Sequence, residues 1–337
     1  LKRLVFVMIG VGLLESLYGL LQTLVPSMGV LWENRIVDYM GNARGTFINR
    51  NNFAGFIGMV WPLALGVTLA MTGRARSLKT ALGSDKLNRQ ALMALGVIVF
   101  LLALIFSRSR AGILCALIGF VAFVIQARPS MKAMLRPTRV LLGGIAILMA
   151  LYTMTIGVEP IIARFLRIAS DGSSRLEIWR DSIAIIKDHP LGIGLRNYEN
   201  VFQIYNHTFT TDRPVIFAHN DYLQLLIESG WVGFVALVGA FLAFLAKRIR
   251  RIRRLDFRND PLRFYLAVGA CSGLISMAVH GFFDFNLQIP ANCLYFVVLM
   301  AILSACTSRR HLRETRDTDP NRSPNMTMPE RRHRHRE

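Results

Sequence analysis

The side chains with chemistry to offer are a few arginines and one histidine set between long apolar runs: Arg108 and Arg110, Arg175, and His219. Two arginines separated by a single residue, in the short polar step 107–110, could clamp an anion such as a phosphate, because each guanidinium presents a planar fork of donors. Arg175 precedes Trp179 by four residues, a spacing that puts both on one helix face. A neutral imidazole at His219 could take a proton from a sugar hydroxyl near pH 7, which a carboxylate at its ordinary pKa does poorly. Residues 175–233 thus bring a cation, an aromatic ring and an imidazole into one polar segment, as a site for an anionic, lipid-linked substrate would require. A plain connector with a few helical turns would have a similar composition, so the surrounding elements must decide.

Other polar residues sit near these. Asn49 and Arg50 lie just before an apolar run, either as an ordinary capped helix start or as donors around an anion at a helix N-terminus. Asn220 follows His219, and Glu228 closes an amphipathic stretch that leads into Gly230. Gly192 and Gly194 follow the helix-stopping pair His189 and Pro190 and permit a close backbone approach. Glu15, His280 and Asp284 are ionisable groups at or near membrane depth, and the last two, four apart, suit a mutually satisfied pair on one helix face. Cys115, Cys271, Cys293 and Cys306 form no CxxC and have no histidine at ligand spacing. The outward loops contain no Asp-x-Asp, so neither a metal nor a cofactor is expected.

The elements that must position these groups are membrane helices. Hydrophobic residues make up 53% of the 337, and they fall in blocks long enough to cross a bilayer. Eight spans are predicted near 4–25, 53–72, 91–107, 111–127, 140–157, 230–246, 264–285 and 288–305. With both termini in the cytoplasm, 28 of the 40 Lys and Arg fall on the inner side, as the positive-inside bias requires. The predicted architecture is an all-α, polytopic transmembrane helix bundle with one large periplasmic loop. Helices 1 to 5 occupy 1–157, the loop with its amphipathic helices 158–229, helices 6 to 8 residues 230–305, and a basic, disordered cytoplasmic tail 306–337. An amphipathic helix over 175–187 lying on the membrane would place Trp179 at headgroup level. Pro62 is expected to kink the second span, and Gly269 with Gly273 to form a small-residue packing face. The basic runs at 247–254 and 309–336 read as cytoplasmic retention charges and contacts to anionic membrane lipids, with no nucleic-acid motif beside them.

Five short patterns occur in order: Gly-Thr-Phe-x-Asn-x-Asn-x-Phe-Ala at 45–54, Ser-x-Ser-Arg at 107–110, Arg-x-x-x-Trp at 175–179, His-Pro-Leu-Gly-x-Gly at 189–194, and His-Asn-x-Tyr-Leu-Gln-x-x-x-Glu-x-Gly at 219–230. Together with the topology they resemble the O-antigen ligase family, which includes O-antigen polymerases and bacterial protein O-oligosaccharyltransferases. The resemblance implies a fold similar to C-type membrane glycosyltransferases in the bacterial inner membrane. It implies metal-independent, inverting transfer of a glycan, en bloc, from undecaprenyl diphosphate to lipid A core, another glycan or a protein. By motif position, Arg110 and Arg175 would hold the diphosphate and His219 would face the acceptor hydroxyl. From the residues themselves, Asn49, Arg50, Arg108, Trp179, Asn220 and Glu228 are further candidates for binding substrate. Family members carry about a dozen spans, so about four are expected upstream of Leu1. The rival readings are a polymerase of the same family, a transporter or flippase using the same arginines for binding alone, and an inert scaffold.

Overall fold

The computed structural model describes residues 1–25, 27–31, 41–71, 85–131, 174–207 and 214–308, with positions 143, 144, 147 and 151. Apart from those last four positions, the predicted span 140–157 lies outside the described residues, as do most of the loop before residue 174 and the tail from 309. The protein is a helical membrane bundle. In chain order its helices are α1 (Lys2–Leu24), α2 (Arg50–Met71), α3 (Asp85–Phe106), α4 (Arg110–Met131), α5 (Ser174–Asp188), α6 (Tyr198–Tyr205), α7 (Asp221–Ile252), α8 (Pro261–His280) and α9 (Pro290–Cys306). Among the described residues α1, α2, α4, α7 and α8 are long and apolar enough to cross a bilayer. Shorter apolar stretches, Ala91–Phe106 in α3 and Pro290–Cys306 in α9, answer the third and eighth predicted spans.

The bundle is organised around α2. Nearly all of its length is buried, from Asn52 to Leu69, and it packs on α8, α4, α3, α1 and α9. The closest of these contacts, with α8, is made backbone to backbone. A Cβ on Gly269 would stand 2.6 Å from the Pro62 carbonyl oxygen, and one on Gly273 would stand 2.6 Å from that of Met59. From the other side, a Cβ on Gly66 would meet the Tyr265 carbonyl. Small residues are therefore what lets two membrane helices touch, where no hydrophobic effect drives them together. The expected packing face at Gly269 and Gly273 is present, and Pro62 sits inside α2 at the centre of the contact.

One end of the bundle collects the polar segments. There the starts of α2, α4, α7 and α9 meet the end of α8, and α5 and α6 pack over them on a second small core around Ile185, Tyr198, Phe202 and Ile227. The predicted amphipathic stretch and the sixth span prove to be one helix, α7, broken at Gly230 (φ 66°, ψ 179°). The break is repaired by the motif at 189–194. Trp231 N–H donates to the Pro190 carbonyl, while the Ile227 and Glu228 carbonyls, left without helical partners, accept from Ile193 and Gly194. The close approach allowed by Gly192 is thus to Gly230 itself, whose left-handed backbone and lack of side chain the contact requires.

Gly269→Val should force α2 and α8 apart at a cost of about 1–3 kcal/mol. Its thermal unfolding midpoint in detergent should fall below that of Gly239→Val, since a Cβ on Gly239 would have nothing within 4 Å. Equal midpoints would refute the backbone contact as a determinant of the bundle.

Candidate functional site

The site grows from one buried carboxylate. α8 ends at His280, and the connector 281–289 turns back toward α9 through a short 3-10 turn, Asn286–Gln288. Asp221 holds this connector at both ends: its N–H donates to the Gly281 carbonyl, and its carboxylate accepts from Leu287 N–H at 3.1 Å. Tyr222 adds a hydroxyl bond to the Ala278 carbonyl at 2.6 Å. So fixed, the connector presents Asp284, 1% exposed, to three other elements.

Asp284 Oδ2 accepts from Asn51 Nδ2 of α2 at 2.7 Å and from Arg175 Nη2 of α5 at 3.3 Å. Oδ1 accepts from its neighbour Phe285 N–H at 3.0 Å and pairs with His219 Nδ1 at 3.1 Å. Arg175 is anchored a second time, Nη1 donating to the Phe283 carbonyl at 2.7 Å. Burial alone would raise the Asp284 carboxyl, but the His219 hydrogen bond and the Arg175 charge outweigh it and hold the group down to about 2, from 3.8. An ionised carboxylate can only accept, so Nδ1 of His219 carries the shared proton and Nε2 is left for other partners. The expected pairing of Asp284 with His280 on one helix face is replaced by these bonds, because the helix stops before Asp284.

His219 sits in the left-handed region (φ 51°), unusual for a residue with a side chain, and its neighbours explain how it is kept there. The Ala218 carbonyl accepts from Trp179 Nε1 at 2.7 Å and the Ala218 N–H donates to Gln224 Oε1 at 3.2 Å. Gln224 Nε2 is in turn tied to Glu228 Oε1 at 3.0 Å, and Asn220 caps α7 by accepting from the Tyr222 and Leu223 amides. Trp179, Asn220 and Glu228 therefore act on the backbone around His219. Trp179 packs against the second core instead of facing lipid headgroups, since α5 is covered by α6 and the start of α7.

A cavity of about 1060 Å³ opens on this cluster, with Arg175, His219, Asn49 and Asn52 among its polar lining and Phe47, Ile216, Phe217 and Phe285 among its apolar walls. Phe217 and Phe285 stack at 4.2 Å, and Phe285 meets the His219 ring edge-on at 4.8 Å. Asn49 doubles as the cap of α2, its Oδ1 accepting from Asn51 N–H at 2.8 Å. Arg50 begins α2 and reaches Asn42 at 3.4 Å without lining the cavity. Arg108, with φ 52°, and Arg110 are exposed at the same end of the bundle and do not line the cavity. The residue between them is bound to the cluster: Ser109 Oγ donates to Asn51 Oδ1 at 2.8 Å. The cavity thus brings Arg175 and His219 together and leaves the two arginines of the 107–110 turn outside.

One polar end of this helical membrane bundle joins a guanidinium, an imidazole and a buried carboxylate over an apolar-walled cavity, the arrangement of a candidate active site. Residues 95–238 match the family model described as O-antigen ligase. Over that segment the chain is similar to the O-antigen ligase family. No curated protein matches it.

Because the Asp284 carboxyl is held below its ordinary value, it stabilises the fold fully above 3.8, and this contribution is lost as pH falls through about 2. Acid unfolding followed by tryptophan fluorescence should steepen in that interval, and Asp284→Asn should remove the component. Superimposable acid curves for parent and variant would refute the assignment. Any change of activity between about pH 5 and 8 should come from a group other than Asp284.

Proposed function

We propose that this protein transfers a glycan en bloc from undecaprenyl diphosphate to an acceptor hydroxyl at the periplasmic face of the bacterial inner membrane. Both termini of the chain then lie in the cytoplasm and the Asp284 end of the bundle faces out. What carries the reading is the pairing of Arg175 and His219 on one buried carboxylate at the wall of a largely apolar cavity. An amphiphile with an anionic head and a prenyl tail matches that combination.

In the reaction, the acceptor oxygen attacks the anomeric carbon, and the bond from that carbon to the diphosphate oxygen breaks with its electron pair leaving on the diphosphate. His219 Nε2 takes the acceptor proton. Arg175 spends Nη1 and Nη2 donors on Phe283 and Asp284 and keeps further N–H donors for the leaving group, whose growing charge they stabilise. Arg110 and Arg108, exposed at the same end, supply the outer positive charge that draws in the diphosphate. Attack opposite the leaving group inverts the anomeric centre. Asp284 positions Arg175 and His219 and touches neither reactant.

Removing a charge-assisted contact to the leaving group should cost about 2–4 kcal/mol of transition-state stabilisation, roughly 30- to 1000-fold in rate. The assay is purified protein in liposomes with a lipid-linked glycan and, in separate arms, lipid A core, a second lipid-linked repeat unit or a protein as acceptor. Arg175→Ala and His219→Ala should each lose transfer by that factor. Parent-level transfer by both variants would overturn the assignment, and glycan that crosses the bilayer with its diphosphate bond intact would establish transport instead.

A further inference from the structure

We propose that Asn51 is a positioning residue of the transfer site, holding Asp284 so that one carboxylate oxygen serves Arg175 and the other serves His219. The inference rests on the transfer reading given above. Asn51 is the second residue of α2, and its Nδ2 contact is the shortest hydrogen bond that Asp284 receives, at 2.7 Å. Its orientation is determined from both sides. An ionised carboxylate accepts only, so the amide must turn its NH₂ toward Asp284, and its oxygen then faces the Ser109 hydroxyl at 2.8 Å. Ser109 in turn accepts from Gly112 N–H at 3.2 Å in the first turn of α4, which leaves its own proton free for Asn51.

The result is a line of donors, Gly112 to Ser109 to Asn51 to Asp284, all pointing the same way, from the positive end of α4 to the buried anion. Such chains polarise one another and add to the helix-end field. Without Asn51, Oδ2 keeps only the Arg175 bond, at 3.3 Å the longest of the four, on a terminal torsion whose profile is broad. Arg175 would then be held less firmly in its register relative to His219, which stays on Oδ1 with Phe285 N–H. Asn49 and Asn52, on either side of Asn51, line the cavity and Asn51 does not, so its effect on substrate runs through Asp284. The charged and titratable groups facing Asp284 are Arg175, His219, His280 and Asp221.

In the liposome assay, Asn51→Leu should lower kcat roughly 10- to 100-fold, the range seen when an outer partner of a functional group is lost, with KM within about twofold of parent. Asn51→Asp is the sharper test. Two carboxyls at hydrogen-bond distance cannot both ionise freely, and a protonated one donates to Asp284 as the amide does. Its kcat relative to parent should therefore recover as pH is lowered from about 8 to about 6, while Asn51→Leu recovers at no pH. Should Asn51→Leu fail to fold, Ser109→Ala, which keeps Asn51 in place, should still lower kcat by a smaller factor. Parent kcat in Asn51→Leu, or a parent-like pH profile in Asn51→Asp, would overturn the proposal while the transfer reading stands. A parent protein that transfers no glycan, in any acceptor arm, would overturn both.

Discussion

A single buried anion sets the geometry of the polar end. Asp284 lies on the connector between α8 and α9, yet its partners come from α2, from α5 and from the loop before α7, 233, 109 and 65 residues away in sequence. A carboxylate removed from water must be fully bonded or it becomes protonated. That requirement closes the site: three elements are held at one point because each supplies part of what Asp284 needs. Its depressed pKa is the same fact in titration terms, since the partners outweigh the burial that opposes ionisation.

The helices can meet that demand because α2 and α8 touch along their backbones. With Gly66, Gly269 and Gly273 at the crossing, the start of α2 and the end of α8 emerge side by side, and Asn51 reaches Asp284. The Gly230 break does the corresponding work in α7. It separates a short helix that caps itself with Asn220 beside His219 from a long segment whose residues Val232, Val235 and Leu237 are exposed, as lipid-facing residues of a spanning helix are. Residues 190–194 supply the hydrogen bonds that the break removes, so Pro190, Gly192 and Gly194 of the His-Pro-Leu-Gly-x-Gly pattern are explained by backbone accounting.

Much of this was legible in the sequence because hydropathy and helix punctuation are local signals. The spans that fall within the described residues, the helix at 174–188 and the packing face at Gly269 and Gly273 follow from patterns read within one element. Arg175 and His219 were found from side-chain chemistry and motif order, and the structure brings them together. Their common partner was less visible. Asp284 stands four residues after His280, so helical spacing suggested that neighbour, and nothing local told that the helix ends between them. Asn49 proves to cap α2, one of the two roles its place before an apolar run allowed, and Asn220 caps α7; Asn51 stood in the 45–54 pattern, but nothing local pointed to Asp284, 233 residues away, as its partner.

The arrangement also answers an electrostatic difficulty of any site built to hold a diphosphate. Cations gathered for a ligand repel one another and are costly to desolvate while the ligand is absent. Asp284 removes that difficulty inside the cavity, since Arg175 already faces a buried negative charge that persists across the physiological range. The consequence is that Arg175 and Asp284 together carry no net charge and cannot attract an anion from a distance. On the transfer reading, that attraction falls to Arg108 and Arg110, which stay exposed in a high-dielectric setting where an unpaired charge is cheap to maintain. On that reading their position outside the cavity becomes intelligible as a division of labour: exposed arginines would collect the diphosphate, and Arg175, held by the buried Asp284, would orient the group that reacts.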